Sequence, residues 1–313
     1  MSIKIAILSP KPADKAETFI QNHIKNLPYE KIVIHGDNFP YMTKKYGPSL
    51  WQLKRYATVR FFRRLIGLKT KSIRKIWLKK TLIKEKVDLV FAEYLITAAE
   101  TYSVCSELNI PLVAIALGYD ISQYDILDHY KVEYHKMLQY SSIIFVVAKH
   151  MKANLLKFGC DETKIIYSPA GPDVSFFQIK PSLATKNLVA IGRFVDKKAP
   201  MITIKAFSEI RQSFPKAKLL MAGDGPLLKD CQDLVNDLGM DQSVEFLGRI
   251  DQNQQRELYK ESYMFVQHSR VAESGDSEGT PVAVLEASAS GLPVVSTIHA
   301  DIPEVILNGK TGL

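Results

Sequence analysis

Short apolar runs alternate along the whole chain with longer stretches whose apolar positions recur at helical spacing. That alternation predicts an α/β protein with parallel sheets, because strands buried on both faces read as continuous apolar runs while their crossover helices are amphipathic. In the first half, strands are expected at 3–8, 31–35, 88–92, 111–117, 143–148 and 164–167. Helices are expected at 16–26, within 51–86, and at 96–108, 126–140 and 151–158, with Asp14 and Glu17 at capping-box spacing before the first. A polar, proline-bearing passage from 172 to 187 interrupts the rhythm. Placing a linker at 176–187 divides the chain into domains at 1–175 and 188–313. The second half repeats the pattern, with strands expected at 188–191, 218–222, 244–246, 264–267 and 293–296. Its helices are expected at 200–213, 226–238, 252–262 and 281–290. Two doubly wound halves imply a cleft between the carboxyl edges of two sheets, the usual ligand position in such folds. The closing Asn308-Gly309-Lys310-Thr311-Gly312-Leu313 reads as a turn entering a further strand, so the second domain is expected to be incomplete.

Composition adds boundaries. With 313 residues, 46% apolar and 24% charged, the chain has ordinary globular values. Cys105, Cys160 and Cys231 lie far apart without a Cys-x-x-Cys pair, which points to buried thiols in a reducing compartment. The opening MSIKIAILSP lacks the pattern of a signal peptide, and no apolar window is long enough to span a bilayer. These features set the expectation of a cytoplasmic protein.

The net charge of +8 is uneven. Between Met42 and Lys86 stand 15 basic residues and one acid, Glu85, leaving 26 basic against 32 acidic residues elsewhere. In this segment Arg55, Arg60, Arg63, Arg64, Lys71, Arg74, Lys75, Lys79 and Lys80 are interleaved with Trp51, Tyr56, Phe61, Phe62, Leu65, Ile66, Ile76, Trp77 and Leu82. Basic and aromatic residues on amphipathic helices suit an anionic membrane surface, which makes 42–86 a candidate peripheral anchor. The competing reading is a solvated helical face whose aromatics belong to the core. Nucleic-acid binding is disfavoured, since no nucleic-acid module motif accompanies the charge.

The most informative stretch is 277–297, SEGTPVAVLEASASGLPVVST. A polar loop with Glu278 and Gly279 leads into a helix predicted to open at Pro281 with Thr280 as N-cap. Glu286 stands among Val284, Leu285, Ala287 and Ala289, so its carboxylate needs a specific partner. A helix N-terminus with one glutamate before it and one within it suits a phosphorylated, hydroxyl-rich ligand.

Three motifs then fall in register. Gly192-Arg193 ends a strand, with Lys198 five residues after the arginine; Ala222-Gly223-Asp224-Gly225-Pro226 follows the next strand; Glu278-Gly279-Thr280-Pro281 precedes Glu286 and Gly291-Leu292-Pro293. In these, and in Ile302-Pro303-Glu304, the second half resembles the nucleotide-sugar-binding domain of family-four retaining glycosyltransferases, which have the two-Rossmann GT-B fold. The first half resembles their polysaccharide-assembly members more loosely, through Glu17-Thr18-Phe19-Ile20 before His23 and through Gly118-Tyr119-Asp120. It departs from them at Leu117, where many relatives carry histidine, and at Lys11-Pro12-Ala13-Asp14-Lys15, which replaces a double-glycine loop. Ala170-Gly171-Pro172-Asp173 stands where relatives have Asn-Gly-Val-Asp.

The resemblance implies a hexosyltransferase that uses a UDP- or GDP-sugar, with no tightly bound cofactor and no metal. Arg193, Lys198 and Glu278 would be its catalytic residues. The donor would contact Arg193, Lys198, Gly223, Gly225, Glu278, Gly279, Thr280, Pro281 and Glu286, with Glu286 on the ribose and Glu278 on the sugar. The acceptor would be a saccharide, lipid-linked at the inner membrane face. Family members run further past the final strand, which implies a truncated chain. Arg193 and Lys198 suit the leaving diphosphate, one as a planar fork and the other as a mobile point charge. Asp276-Ser277-Glu278 has no further ligand-type residues at metal spacing. Gly223 and Gly225 fit either a tight turn or a ligand-facing one, and Asp120 either the cleft or a cap. His268 ends a strand near the glutamate loop and is a lesser candidate. An epimerase on the same fold and an inactive anionic-surface-binding protein remain as alternatives.

Overall fold

The computed structural model describes residues 3–12, 17–43, 70–182 and 184–313. The chain forms two compact units. The first holds Met1–Ile121, Asp125–Val147 and Met151–Ser168, and the second holds Ser122–Tyr124, Ala148–His150 and Pro169–Leu313.

The first unit is built on β1 (Lys4–Ser9), β2 (Glu30–Gly36), β3 (Pro40–Met42), β4 (Leu89–Glu93), β5 (Leu112–Ala116), β6 (Ile143–Val146) and β7 (Ile165–Tyr167). Its helices are α1 (Thr18–Asn26), α2 (Thr70–Lys84), α3 (Leu95–Leu108), α4 (Tyr119–Ser122), α5 (Tyr124–Tyr140) and α6 (Lys149–Lys157), of which α4, α5 and α6 each have one or two residues in the second unit. The sheet order is β3-β2-β1-β4-β5-β6-β7. Every pairing is parallel except the edge pair β2–β3, where His35 faces Met42. Strands β1, β4 and β5 are the apolar runs and lie in the core, with Ala6, Ile7, Leu8, Val90, Ala92, Leu112, Ala114 and Ala116 wholly buried. The edge strand β3 carries no periodic signal of its own and was not expected from the pattern. Of the basic segment 42–86, residues 44–69 lie outside the described residues, as do Ala13 to Ala16, including the Asp14 half of the expected capping box.

The second unit has β8 (Leu188–Ile191), β9 (Leu219–Ala222), β10 (Val244–Gly248), β11 (Met264–Gln267) and β12 (Val294–Ser296) in the all-parallel order β10-β9-β8-β11-β12. Around them lie α7 (Pro200–Ser213), α8 (Leu228–Asp237), α9 (Gln252–Lys260), α10 (Val282–Ala289) and α11 (Ile302–Val305). Strands β8 and β11 have the predicted bounds. The passage read as linker behaves differently: Phe176 and Ile179 are buried in the core of the second unit, beside Tyr259, Phe265 and Val294. Their side chains give a polar-looking stretch an apolar role. The last two residues run beside β12, with the Leu313 N–H donating to Val294 O at 2.9 Å and the Ser296 N–H to Leu313 O at 2.9 Å.

All three cysteines are free and buried. Among the described residues no helix is long and apolar enough to cross a membrane.

Asp120 is fully buried and caps two loops at once. Its carboxylate accepts from the Leu95 N–H at the start of α3 (2.8 Å), and from Leu117 and Gly118 after β5 (3.0 and 2.9 Å). Burial pushes this carboxyl up to about 6 in spite of those donors. Asp120→Ala should therefore lower stability by about 2–4 kcal/mol in urea unfolding, because buried donors lose their acceptor. A loss under about 1 kcal/mol would show the two loops to be held by packing alone.

Candidate donor-binding site

The strand order places a topological switch point in the second unit between β8 and β11. From β8 the sheet grows outward through β9 and β10 on one side and through β11 and β12 on the other. Ligands of open α/β sheets bind at the carboxyl end of such a point, where the two following loops diverge. The loop after β8 carries Gly192, Arg193, Lys197 and Lys198; His268 follows β11. Gly192, Arg193, Lys198, Thr203 and His268 line one shallow depression at this place.

Glycine is required here by close backbone approach. A Cβ on Gly223 (φ +140°) would lie 1.9 Å from the Gly192 carbonyl oxygen, and one on Gly225 would lie 2.5 Å from the Phe194 oxygen. The two loops are laced by Gly192 N–H to Ala222 O (2.9 Å), Phe194 N–H to Asp224 O (3.0 Å) and Leu227 N–H to Phe194 O (3.0 Å). Gly223 and Gly225 thus have a structural reason to be glycine: they let the Arg193 loop sit against the next one.

Arg193 is exposed and makes no ion pair or hydrogen bond through its guanidinium among the described residues. Lys198 and Glu278 are brought together, with Lys198 Nζ 3.3 Å from Glu278 Oε1 and both side chains largely buried. The contact is an ion pair without hydrogen-bond alignment, since Glu278 Oε1 has no aligned donor. Burial pushes the Lys198 ammonium down, opposed by Glu278. Burial alone would raise Glu278, but the Lys198 and Lys197 charges outweigh it and hold the carboxyl below its ordinary range. The carboxylate of Glu278 is thereby favoured over its protonated form.

Lys197 was missed by sequence reasoning. It is as buried as Glu278 and donates from Nζ to Asp276 Oδ1 (2.9 Å) and Ser277 O (3.2 Å). Nothing in the sequence separates it from its neighbour Lys198. Asp276 is accordingly committed to a lysine. His299 was also missed. Its Nε2 accepts from the Glu278 N–H (3.3 Å) and lies 3.2 Å from Ser277 Oγ, so it braces the loop from behind. Burial pushes that imidazole down, which keeps Nε2 an acceptor.

The helix after the loop begins one residue later than expected. Pro281 is the N-cap of α10, with φ −63° and ψ 117°, and no side chain caps it. The predicted Thr280 cap and Pro281 first turn are corrected, because Pro281 keeps extended ψ and the helix starts at Val282. Glu278, Gly279, Thr280 and Pro281 are all buried at this approach. Glu286 finds the specific partner it needs in Gln255 of α9, whose Nε2 donates to Oε2 at 2.6 Å and also to Tyr259 Oη at 3.0 Å. Burial pushes Glu286 up to about 7. His268 is half-buried, its Nδ1 has no hydrogen-bond partner among the described residues, and burial pushes its imidazole down.

A folded-state value above that of an unfolded glutamate means that Glu286 favours the folded state at low pH, and this contribution is lost as pH rises through about 7. Glu286→Gln keeps an oxygen for the Gln255 amide and removes the titration. It should flatten the fall in urea-derived stability between about pH 5 and pH 8 by up to about 3 kcal/mol. A slope equal to that of the unsubstituted protein would show Glu286 ionised throughout.

Residues 174–313 match the family model of the glycosyl transferases group 1. Among curated proteins, the chain is 28% identical over 229 residues to the colanic acid biosynthesis glycosyltransferase WcaL of Escherichia coli, covering 71% of this chain and 56% of that protein. It is 28% identical over 203 residues to the amylovoran biosynthesis glycosyltransferase AmsK of Erwinia amylovora, covering 64% and 50%. The matched part thus spans about half the length of these relatives. Among solved structures, Anabaena HepE in complex with UDP-glucose superposes with a TM-score of 0.70 at 16% identity, over 99% of this chain and 85% of that one. Sucrose-phosphate synthase from Thermosynechococcus elongatus gives the same score, identity and coverage. The fold is that of these GT-B proteins.

Proposed function

We propose that the chain, whose residues 174–313 match the glycosyl transferases group 1 model and whose fold is that of the GT-B structures above, transfers a hexose-type sugar from a UDP- or GDP-sugar to a saccharide acceptor, with retention and without a metal. The observation that carries this reading is the pairing at the second unit's switch point of an unpartnered, exposed Arg193 with the buried Lys198–Glu278 ion pair. Breaking a bond to a nucleoside diphosphate leaves charge on phosphate oxygens. Arg193 receives it as a fork and Lys198 as a point charge, and the N-terminal end of α10 adds its dipole. Glu278, ionised and anchored through its backbone by His299, turns its carboxylate to the hydroxyls of the donor sugar. Glu286 receives the ribose hydroxyls, and Gly279 and Thr280 let backbone approach the ligand.

Residues 1–175 hold the acceptor, which is lipid-linked, and the protein works peripherally at the inner membrane face during cell-surface polysaccharide assembly. The naming of WcaL and AmsK as polysaccharide biosynthesis enzymes supports that role. The described part of the basic segment gives some support to the membrane contact: Ile76, Lys80 and Ile83 are exposed at helical spacing on α2. Other members are committed elsewhere, since Arg74 pairs with Asp37 and covers Tyr41, and Lys79 pairs with Glu107.

Calorimetry with UDP and GDP tests the donor site. One of the two should bind, and Arg193→Ala should weaken it at least about tenfold, or 1.4 kcal/mol. Neither diphosphate binding, or binding indifferent to Arg193, ends the proposal. Glu278→Gln should leave diphosphate affinity within about threefold yet lower sugar release from the donor by about a hundredfold or more. Chelation of divalent ions with EDTA should leave turnover unchanged.

A further inference from the structure

The loop before α10 is fastened at three successive residues, each from a different place in the second unit. Asp276 takes the Lys197 ammonium at 2.9 Å, the Ser277 N–H donates to Ser122 Oγ at 3.2 Å, and the Glu278 N–H donates to His299 Nε2 at 3.3 Å. Gly275, at φ +82°, permits the close approach, since a Cβ there would lie 2.7 Å from the Ser122 carbonyl oxygen. Of the three fastenings only the one on Glu278 ends on an imidazole, the side chain whose ordinary titration falls near neutral pH.

The ring at 299 has two states with opposite hydrogen bonding. Neutral, with its proton on Nδ1, it accepts at Nε2 from the Glu278 N–H. Protonated, it carries a hydrogen on Nε2 that confronts that N–H, and Ser277 Oγ, 3.2 Å away, becomes its acceptor. One proton therefore moves the partner of the ring from the Glu278 backbone to the Ser277 hydroxyl, and leaves a buried donor unmet. The surroundings favour the neutral ring. Burial is the largest cause, opposed by Glu278, and His150, Lys197 and Lys198 add to it from the elements packed around the ring. His150, near the start of α6, has both ring nitrogens without a hydrogen-bond partner among the described residues, and burial pushes it down as well. Asp301, two residues beyond His299, lies 4.0 Å from His150 Nδ1 and accepts the Lys149 N–H with both oxygens, at 2.9 and 3.0 Å.

We propose that His299 is a positioning residue for Glu278, holding its backbone through the neutral ring and releasing it when the ring takes up a proton. On release the Glu278 carboxylate loses its fixed direction towards the donor sugar. Arg193 lies outside this fastening and keeps the diphosphate. Acid therefore removes the advantage of a nucleotide-sugar over the bare diphosphate and spares diphosphate binding itself. The sign follows from the neutral ring being favoured by folding: its contribution is present above about pH 6.5 and is lost as pH falls through the folded-state value. The role towards a sugar rests on the transferase reading; the switch in the backbone rests on the hydrogen bonds of the ring.

NMR of the 313-residue chain between about pH 4.5 and pH 7.5 tests the switch without any ligand. Ring nitrogen shifts should show His299 Nε2 free of a proton at the upper end, and the Glu278 amide signal should move with the midpoint of the ring. His299→Gln offers an amide oxygen in place of Nε2 and does not titrate, so it should abolish this response while keeping the Glu278 amide protected from exchange. His299→Phe keeps an aromatic ring without an acceptor and should speed exchange of that amide at least about tenfold at about pH 7.5. Calorimetry adds the functional arm. The preference for UDP-glucose over UDP, or for GDP-mannose over GDP, should fall at least about fivefold from about pH 7.5 to pH 5, and should stay constant in His299→Gln. A Glu278 amide that ignores the ring, a neutral ring protonated on Nε2, or a sugar preference indifferent to pH while the amide responds overturns the proposal. If the amide follows the ring and neither diphosphate binds, the transferase reading falls and the backbone switch stands. A diphosphate that binds while the amide ignores the ring sinks this inference and leaves the donor site standing.

Discussion

Two buried lysine–carboxylate pairs, set side by side, hold the chemistry of the second unit in place. Lys197 and Lys198 leave one short 3-10 turn and meet Asp276 and Glu278, at 2.9 and 3.3 Å. Burying four charges is costly, and mutual pairing is what makes it tolerable. Loss of either partner would leave an uncompensated charge, so the loop after β8 and the approach to α10 are bound to each other. The turn closes on Ala199 at φ +38°, and α7 starts at Pro200, which ties a helix to the same constraint. Arg193 stands outside this lattice of pairs, and among the described residues its guanidinium has no ion pair.

Backbone proximity is the second constraint. Gly192, Gly223 and Gly225 belong to loops so near each other that side chains at 223 and 225 would overlap backbone atoms. The consequence reaches Arg193 and Phe194: the position of a cationic residue is decided by what its neighbours lack.

Much of the architecture was legible because the continuous apolar runs of strands β1, β4, β5, β8 and β11 and the helical spacing of α3, α5 and α7 stand out from the polar stretches between them. The edge strand β3 escaped because Pro40–Met42 is short and pairs only on one side. Phe176 and Ile179 escaped because a few apolar residues in a polar passage carry no period, although they complete a core. At the site, Glu286 was legible as a polar residue on an apolar helix, and its need for a partner followed. That the partner is Gln255 was not, since it comes from another helix.

The sequence by itself determined the α/β class and most of the sheet-forming segments, which are properties of local pattern, while Arg193, Lys198, Glu278 and Glu286 were singled out as a set through the resemblance of their motifs to a known family. Tertiary structure alone decided that Lys198 and Glu278 face one another, that Lys197 takes Asp276, and that His299 braces the Glu278 backbone. It alone decided that Asp120 caps loops from two strands. The physical reason is common to all of these. Burial and pairing between residues far apart in the chain depend on which strands become neighbours, and local periodicity carries no record of that.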